Sequence, residues 1–129
     1  EIRAALDRSL TAGSAVLGRG GSALDAVEAA VRVLEDDPNF NAGRGSVFTD
    51  DGRIEMDASI MDGRTRAAGA VTGVTGTKNP IGLARAVMEQ SEHVFLSGDG
   101  ADEFSRRQGL EQAPPSYFET DFRRRQLEE

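Results

Sequence analysis

The order of hydrophobic patterns along this chain predicts an α+β fold, in which helices pack on a mainly antiparallel sheet. Two helical patterns come first, short β-type runs follow, and then a helix, a strand and a last helix. Strict alternation of strands and helices, the mark of a parallel α/β fold, is absent. The strands are also too few to close a sheet independently, so we expect other parts of the protein to complete it.

The composition excludes several classes of protein. With 129 residues, 38% hydrophobic and 29% charged, the chain is predicted to be one soluble globular domain. Its net charge of −7 argues against nucleic-acid binding. No apolar run approaches the roughly 20 residues of a membrane helix, and the first residues lack the pattern of a signal peptide. There is no cysteine, hence no disulfide or thiolate site, which fits a cytoplasmic location.

The first two elements are predicted to form a helical hairpin. An apolar residue recurs at helical spacing in the first helix, at Ile2, Leu6, Leu10 and Leu17. Gly18–Gly21 breaks that helix, and Ser22 with Asp25 offers a capping-box start for the next. The stripe of the second helix is Leu24, Val27, Val31 and Leu34. Such a hairpin is expected to bury both stripes against another layer.

Strand patterns begin after Gly45. The runs 46–48 and 54–61 flank the turn residues Asp50-Asp51-Gly52, which predicts a β-hairpin. The run 67–74 is small and apolar enough to predict a strand buried on both faces.

The last third of the chain is predicted to be mainly helical. Asn79-Pro80 begins a helix whose apolar stripe is Ile81, Ala84, Val87 and Met88. A strand is expected at 93–97, followed by a short helix that Asp99 caps and that ends at Arg106. Residues 116–129 are predicted to be helical, with Arg123–Arg125 on the solvated face.

Three motifs that suggest chemistry have simpler explanations. Gly18–Ala23 matches the dinucleotide pattern G-x-G-x-x-G/A, but a helix precedes it where that fold needs a strand, so a tight turn is favoured. Glu55, Asp57 and Asp62 suggest paired acid/base groups, yet a solvated strand face and a turn cap explain them better. His93 is the only histidine, and without a matching nucleophile it is expected to have a surface or structural role.

The most informative segment is the loop Asp37–Phe48, together with Met56–Gly63 further on. The loop is rich in residues with special backbone geometry and poor in reactive side chains. This composition favours a shaped backbone over a nucleophile.

Several motifs in this order resemble the α subunit of plant-type L-asparaginases, also called isoaspartyl peptidases. These motifs are Gly21–Val27, Phe40–Gly43 with Gly45, Met61–Gly63, Ala68–Val71, Asn79-Pro80, Val87–Glu89 and Gly98–Ala101. The resemblance implies the αββα sandwich of N-terminal-nucleophile hydrolases. Residues 1–129 would be the α-subunit part of a single amidohydrolase domain that a separate β chain completes. The resemblance also implies autocatalytic cleavage of a precursor before a threonine, and an (αβ)₂ heterotetramer.

The same resemblance implies an activity and a set of site residues. L-Asparagine and β-aspartyl dipeptides would be hydrolysed through a covalent β-aspartyl enzyme by a threonine on the β chain, whose free amine acts as base. Asn41 matches the family's asparagine that projects toward this nucleophile, a supporting catalytic role. No catalytic cofactor is implied, but a structural sodium ion is. Its implied ligands are the backbone carbonyls of Leu34, Glu35, Asp37, Phe40, Ala42 and Arg44.

Two family features, an N-terminal strand with a His-Gly-Gly segment and the catalytic threonine, do not occur in this sequence. The alternatives are a glycosylasparaginase or threonine endopeptidase relative, and a non-catalytic binding module that kept the fold of the α half.

Overall fold

A computed structural model describes residues 1–129 and confirms the α+β class. In chain order the elements are α1 (Ile2–Gly18), α2 (Ala23–Asp36), β1 (Met56–Met61), β2 (Ala68–Val74), α3 (Pro80–Gln90), β3 (Phe95–Ser97), α4 (Gly98–Arg107), α5 (Pro115–Phe118) and α6 (Asp121–Glu128). None of the helices combines the length and the apolar character that crossing a membrane would require.

The three strands form one small sheet in the order β1-β2-β3. β1 pairs with β2 antiparallel, whereas β2 pairs with β3 parallel. The sheet is therefore mixed, and the expected antiparallel pairing holds for β1 and β2 only, because α3 carries the chain across the sheet between β2 and β3 and makes that pair parallel.

The two faces of the sheet have different surroundings. On one face Val71 and Val74 are buried in a cluster that also contains the fully buried Leu83, Ala84 and Val87 of α3. The opposite face is open and holds a shallow depression of about 400 Å³ whose lining includes Ala70, Thr72 and Phe95. Within this chain the run 67–74 is therefore buried on one face and half-buried on the other, because no element of residues 1–129 packs on the second face.

The helical hairpin forms as predicted, but the apolar stripe of α1 faces solvent. Gly18-Arg19-Gly20-Gly21 makes the tight turn, with Gly20 at φ +81°, and the Ser22 hydroxyl accepts a hydrogen bond from the Asp25 N–H at 3.0 Å. The exposed α1 residues are Ile2, Leu6, Leu10 and Leu17, each about half exposed or more. The buried α1 side chains are instead Ala5, Ser9 and Val16.

Small residues explain this reversal. A Cβ at Gly13 would lie 3.2 Å from the Ala26 carbonyl oxygen, so α1 and α2 approach each other closely along a face of small side chains. The Ser9 hydroxyl bonds the Ala30 carbonyl across that contact at 2.8 Å. Of the α2 stripe, Leu24 and Val31 pack against the core, whereas Val27 is exposed.

Of the β-hairpin predicted over 46–61, only the turn and one bridge between its two sides form as expected. Thr49 N–H donates to the Arg53 carbonyl at 2.7 Å, Gly52 has φ +78°, and one bridge joins Phe48 to Ile54. Residues 46–48 do not form a strand, because the Val47 N–H donates to the Asn41 side chain instead of to a neighbouring strand.

The C-terminal predictions need three boundary corrections. The strand expected at 93–97 covers Phe95–Ser97, and α4 has Ser97 as its N-cap residue while Asp99 lies in its first turn. The helix expected over 116–129 is two helices, α5 and α6, separated by Glu119 and Thr120. The Thr120 hydroxyl caps α6 by accepting from the Arg123 N–H at 3.3 Å.

The basic cluster is not simply a solvated face. Arg123 Nε donates to the Gly45 carbonyl at 2.8 Å, and Arg124 pairs with Glu119 at 2.6 Å while its guanidinium lies over the Phe48 ring. Arg124 and Arg125 are exposed as expected, and the Arg125 side chain makes no hydrogen bond, whereas Arg123 is half-buried against the loop.

Candidate functional site

The loop that follows α2 begins with a polar turn. Pro38 cannot continue the helix, and Asp37 Oδ1 accepts hydrogen bonds from the Asn39 backbone N–H at 2.9 Å and from its side-chain amide at 2.7 Å. Arg8 of α1 donates to the other carboxylate oxygen at 2.9 Å. Burial raises the pKa of Asp37, but the bonds from Asn39 and the Arg8 guanidinium outweigh it and hold the pKa below its usual value. Asp37 is therefore an ionised anchor for the start of the loop.

Two glycines give the loop its shape. Gly43 and Gly45 have φ +51° and +96°, a region that side chains with a Cβ rarely adopt. A Cβ at Gly43 would lie 2.5 Å from the Glu35 carbonyl oxygen. One at Gly45 would lie 2.5 Å from the Pro38 oxygen and 2.8 Å from that of Phe40. The loop therefore folds tightly on its own carbonyl groups, and only glycine fits at these positions.

The carbonyl groups of the predicted ion loop divide into two sets. Those of Leu34, Glu35 and Asp37 accept backbone N–H groups within the loop, at 3.3, 2.8 and 3.4 Å. Those of Phe40, Ala42 and Arg44 accept no hydrogen bond.

Side chains do not offer an alternative ligand set, since no three His, Cys, Asp or Glu residues cluster. Carbonyl oxygens suit a hard cation and keep a second lone pair when they accept one hydrogen bond. The chemistry of these carbonyl ligands thus fits a hard cation, with both lone pairs free on three of the six oxygens and one free on the others.

Asn41 lies at the exposed edge of this loop. Its Oδ1 accepts a hydrogen bond from the Val47 N–H at 2.9 Å, whereas its amide nitrogen has no partner. The side chain borders an open cleft of about 150 Å³ whose lining includes Val47, Glu55 and Asp57. With the oxygen held, the free NH₂ group can donate two hydrogen bonds into the cleft.

The Glu35 side chain has a role that the sequence did not predict. It is 3% exposed, and its Oε1 accepts the Ile81 N–H at 2.8 Å, which caps the N-terminus of α3. Its Oε2 is buried without a partner. Burial raises its pKa to about 7. Only its carbonyl was predicted to matter, because 46 residues separate Glu35 from Ile81 and no spacing pattern connects them.

The other carboxylates have structural partners, as predicted. A register shift interrupts β1 at Asp57, and its carboxylate accepts bonds from the Thr72 hydroxyl at 2.5 Å and the Gly73 N–H at 3.1 Å. Asp62 closes a turn by accepting the Arg64 N–H at 2.9 Å. Exposed Glu55 pairs with Arg53. His93 is exposed, and its backbone N–H donates to Ser91.

Comparison with known proteins identifies relatives over nearly the whole chain. The sequence model of the asparaginase family Asparaginase_2 matches residues 1–129. The plant-type L-asparaginase of Pyrococcus furiosus is 59% identical over 109 residues, which is 84% of this chain and 35% of that protein. The mouse isoaspartyl peptidase/L-asparaginase is 50% identical over 127 residues, 98% of this chain and 39% of the relative.

A plant protein extends this range of relatives. Probable isoaspartyl peptidase/L-asparaginase 2 of Arabidopsis thaliana is 50% identical over 121 residues, 94% of this chain and 37% of its own length. The chain therefore spans little more than a third of the curated relatives it matches.

Proposed function

Because this chain belongs to the plant-type asparaginase and isoaspartyl peptidase family, we propose that it is the α subunit of an autoprocessed amidohydrolase. A β chain cut from the same precursor supplies an N-terminal threonine and most of the substrate pocket. Together they hydrolyse L-asparagine and β-aspartyl dipeptides, and two αβ units pair as (αβ)₂. The names of the relatives favour this activity over that of a glycosylasparaginase or a threonine endopeptidase.

In the complete enzyme this chain forms half of an αββα sandwich. The support is the open face of the sheet, where Phe95 is exposed and Ala70 and Thr72 are half-buried, while α3 covers the other face. A sheet with one bare, partly apolar face is half of a packed layer structure. Strands of the β chain are the proposed cover, so the residues 1–129 and the β chain make a single domain.

The reaction divides into two acyl-transfer steps. The threonine hydroxyl attacks the substrate's side-chain amide carbon while the threonine amine takes the hydroxyl proton. The C–N bond breaks, the leaving nitrogen takes that proton, and ammonia or an amino acid departs from a β-aspartyl ester. Water then attacks the ester carbon, the same amine takes a proton from the water, and aspartate is released as the hydroxyl re-forms.

Asn41 is the residue of this chain that we propose takes part in catalysis. Its Oδ1 is fixed by the Val47 N–H at 2.9 Å, which leaves the NH₂ group unpaired at the open cleft. A preorganised amide donor stabilises negative charge that develops on the reacting carbonyl, and losing one such donor costs about 10²-fold in turnover.

The first experiment is intact-mass analysis of the purified full-length gene product under denaturing conditions, with N-terminal sequencing of any second chain. We expect two chains, the second beginning with threonine. A single uncut chain without activity on L-asparagine or a β-aspartyl dipeptide would contradict the proposed function.

The second experiment compares Asn41→Ala with wild type in the processed enzyme. We expect kcat to fall by about 10²-fold, since one donor to the transition state is lost. Asn41→Asp should fall similarly, because it keeps the oxygen that Val47 bonds but lacks the NH₂ group. The matched control is Gln90→Ala, which removes an exposed side-chain amide at the end of α3 that makes no hydrogen bond and should keep the activity. Unchanged kinetics in Asn41→Ala would refute this role.

We also propose that the loop holds sodium through the backbone carbonyls of Leu34, Glu35, Asp37, Phe40, Ala42 and Arg44. The ion would supply a fixed positive charge that organises the loop, and with it Asn41. Because the ligands are carbonyls, the side chains of Asp37 and Arg44 are not ligands themselves, and the Asp37 carboxylate contributes by anchoring the start of the loop. Hydrogen exchange of residues 37–45 should slow when sodium replaces a larger monovalent cation. Equal protection in both salts would contradict the ion site.

A further inference from the structure

The C-terminal arm consists of α5, Glu119, Thr120 and α6. It contacts the loop 37–48, which carries Asn41 and is called the active-site loop below. Its first helix is anchored in the core by Phe118, which has no exposed surface. The carbonyl of that residue accepts the Gly45 N–H at 2.9 Å. The arm is thus hydrogen-bonded to the loop at Gly45, the glycine that packs against the carbonyl oxygens of Pro38 and Phe40.

Arg123 makes the second connection at the same glycine. The Thr120 cap fixes the first turn of α6, and from this turn Arg123 Nε donates to the Gly45 carbonyl at 2.8 Å. A terminal nitrogen of the same guanidinium bonds Gln126 at 2.9 Å, and the group lies 5.3 Å from the centre of the Phe122 ring. These contacts hold the guanidinium in one orientation.

Both polar groups of Gly45 are therefore bonded to the arm. The loop carbonyls of Pro38 and Phe40 pack against this glycine, and two residues further on the Val47 N–H holds the Asn41 side chain. A shift of Gly45 would move both the carbonyl groups of the loop and the Asn41 amide.

We propose that Arg123 is a positioning residue for the active-site loop: by holding the Gly45 carbonyl, it sets the orientation of Asn41 and of the loop's carbonyl groups. The catalytic consequence rests on the function proposed above, whereas the effect on the loop does not. A charged donor to a carbonyl makes a stronger hydrogen bond than a neutral one. Small displacements of a catalytic group have large effects on rate.

The test uses Arg123→Ala in the full-length gene product. Its matched control is Arg125→Ala, two positions along the same helix, which removes an exposed side chain that makes no hydrogen bond. Arg123→Lys is the second variant, because it keeps the charge and the helix but lacks the Nε donor. Should Arg123→Ala not fold, Arg123→Lys carries the test.

The first readout is hydrogen exchange of residues 37–47, which needs no activity. We expect faster exchange in both Arg123 variants than in wild type and Arg125→Ala. Equal exchange would overturn the proposal, whatever the enzyme's substrate.

The second readout is kinetic, per processed protomer as counted by intact mass. We expect kcat to fall by about 10-fold with KM nearly unchanged, and the sodium concentration for half-maximal activity to rise. Added guanidinium ion, at non-denaturing concentration, should restore part of the kcat of Arg123→Ala. A purely structural role predicts loss of folded protein with normal kcat per protomer and no rescue, and that result would overturn the proposal. Lack of activity in wild type would instead count against the proposed function.

Discussion

The β2–α3 pair and the loop 37–48 are held by different kinds of contact. The β2–α3 pair is held by packing of apolar side chains. Val71 and Val74 of the strand lie in one buried cluster with helix residues that are fully buried: Leu83, Ala84 and Val87. In the loop, backbone groups and a few polar side chains provide the contacts. The apolar pair thus supplies a rigid support, while the loop leaves three of the predicted ligand carbonyl groups and the side-chain amide nitrogen of Asn41 without partners.

This difference predicts how each region responds to substitution. In the β2–α3 pair, a larger side chain at a point where the two backbones are in contact should lower the global stability. The loop should be sensitive to its glycines and to the distant residues that fix its peptide groups, with a loss of local order.

The largest expected effect is that of Gly69→Ala in the β2–α3 pair. The new Cβ would lie 2.1 Å from the Ala84 carbonyl oxygen and 2.6 Å from the Met88 nitrogen. The strand and the helix must separate to admit it, which should lower the free energy of unfolding by about 4 kcal/mol. Chemical denaturation of the full-length gene product measures this change.

Gly100→Ala is the matched control for that variant. A Cβ at Gly100 meets no atom within 4 Å, and the residue lies within α4. Alanine should therefore leave stability unchanged or raise it slightly, since it has the higher helix propensity. Equal destabilisation by the two variants would show that close approach of β2 and α3 is not what makes Gly69 necessary.

The contrast between the regions also explains what the sequence could predict. Apolar periodicity located α2, α3 and β2, and the Asn79-Pro80 signal marked the start of α3, because packing by volume leaves a regular pattern. The same reasoning misjudged α1, where a stripe of large apolar residues is exposed and small residues form the contact. Periodicity identifies a helix but does not say which face another layer will cover.

The candidate site was predictable only in part, and for a physical reason. The glycines and Asp37-Pro38 indicated a shaped loop, and family resemblance selected Asn41. The contact between Arg123 and Gly45 joins residues 78 positions apart through one side chain and one carbonyl. Such single contacts between distant segments leave no periodic pattern, so only the folded structure reveals them.

Glu35 joins the two regions and gives the smaller of the two expected effects. Its side chain caps α3 while its carbonyl closes the loop by accepting the Arg44 N–H. Burial raises its pKa from 4.5 to about 7, and among its charged neighbours Arg32 lowers the pKa while Asp36 raises it. Between these two pH values the folded state binds more protons than the unfolded state. Stability should therefore fall as pH rises through this window, by at most about 3 kcal/mol, and then level off.

Glu35→Gln should remove this part of the pH dependence, since glutamine cannot ionise but keeps an oxygen for the Ile81 N–H. Below pH 4.5 the variant and wild type should be equally stable, and above the folded-state pKa the variant should be the more stable. Denaturation of the full-length gene product in sodium-free buffer across this range measures the difference. Glu103→Gln is the control and should follow wild type, because the Glu103 side chain is exposed and makes no hydrogen bond or ion pair. If Glu35→Gln retains the wild-type slope, the buried Glu35 carboxyl is not the source of this pH dependence.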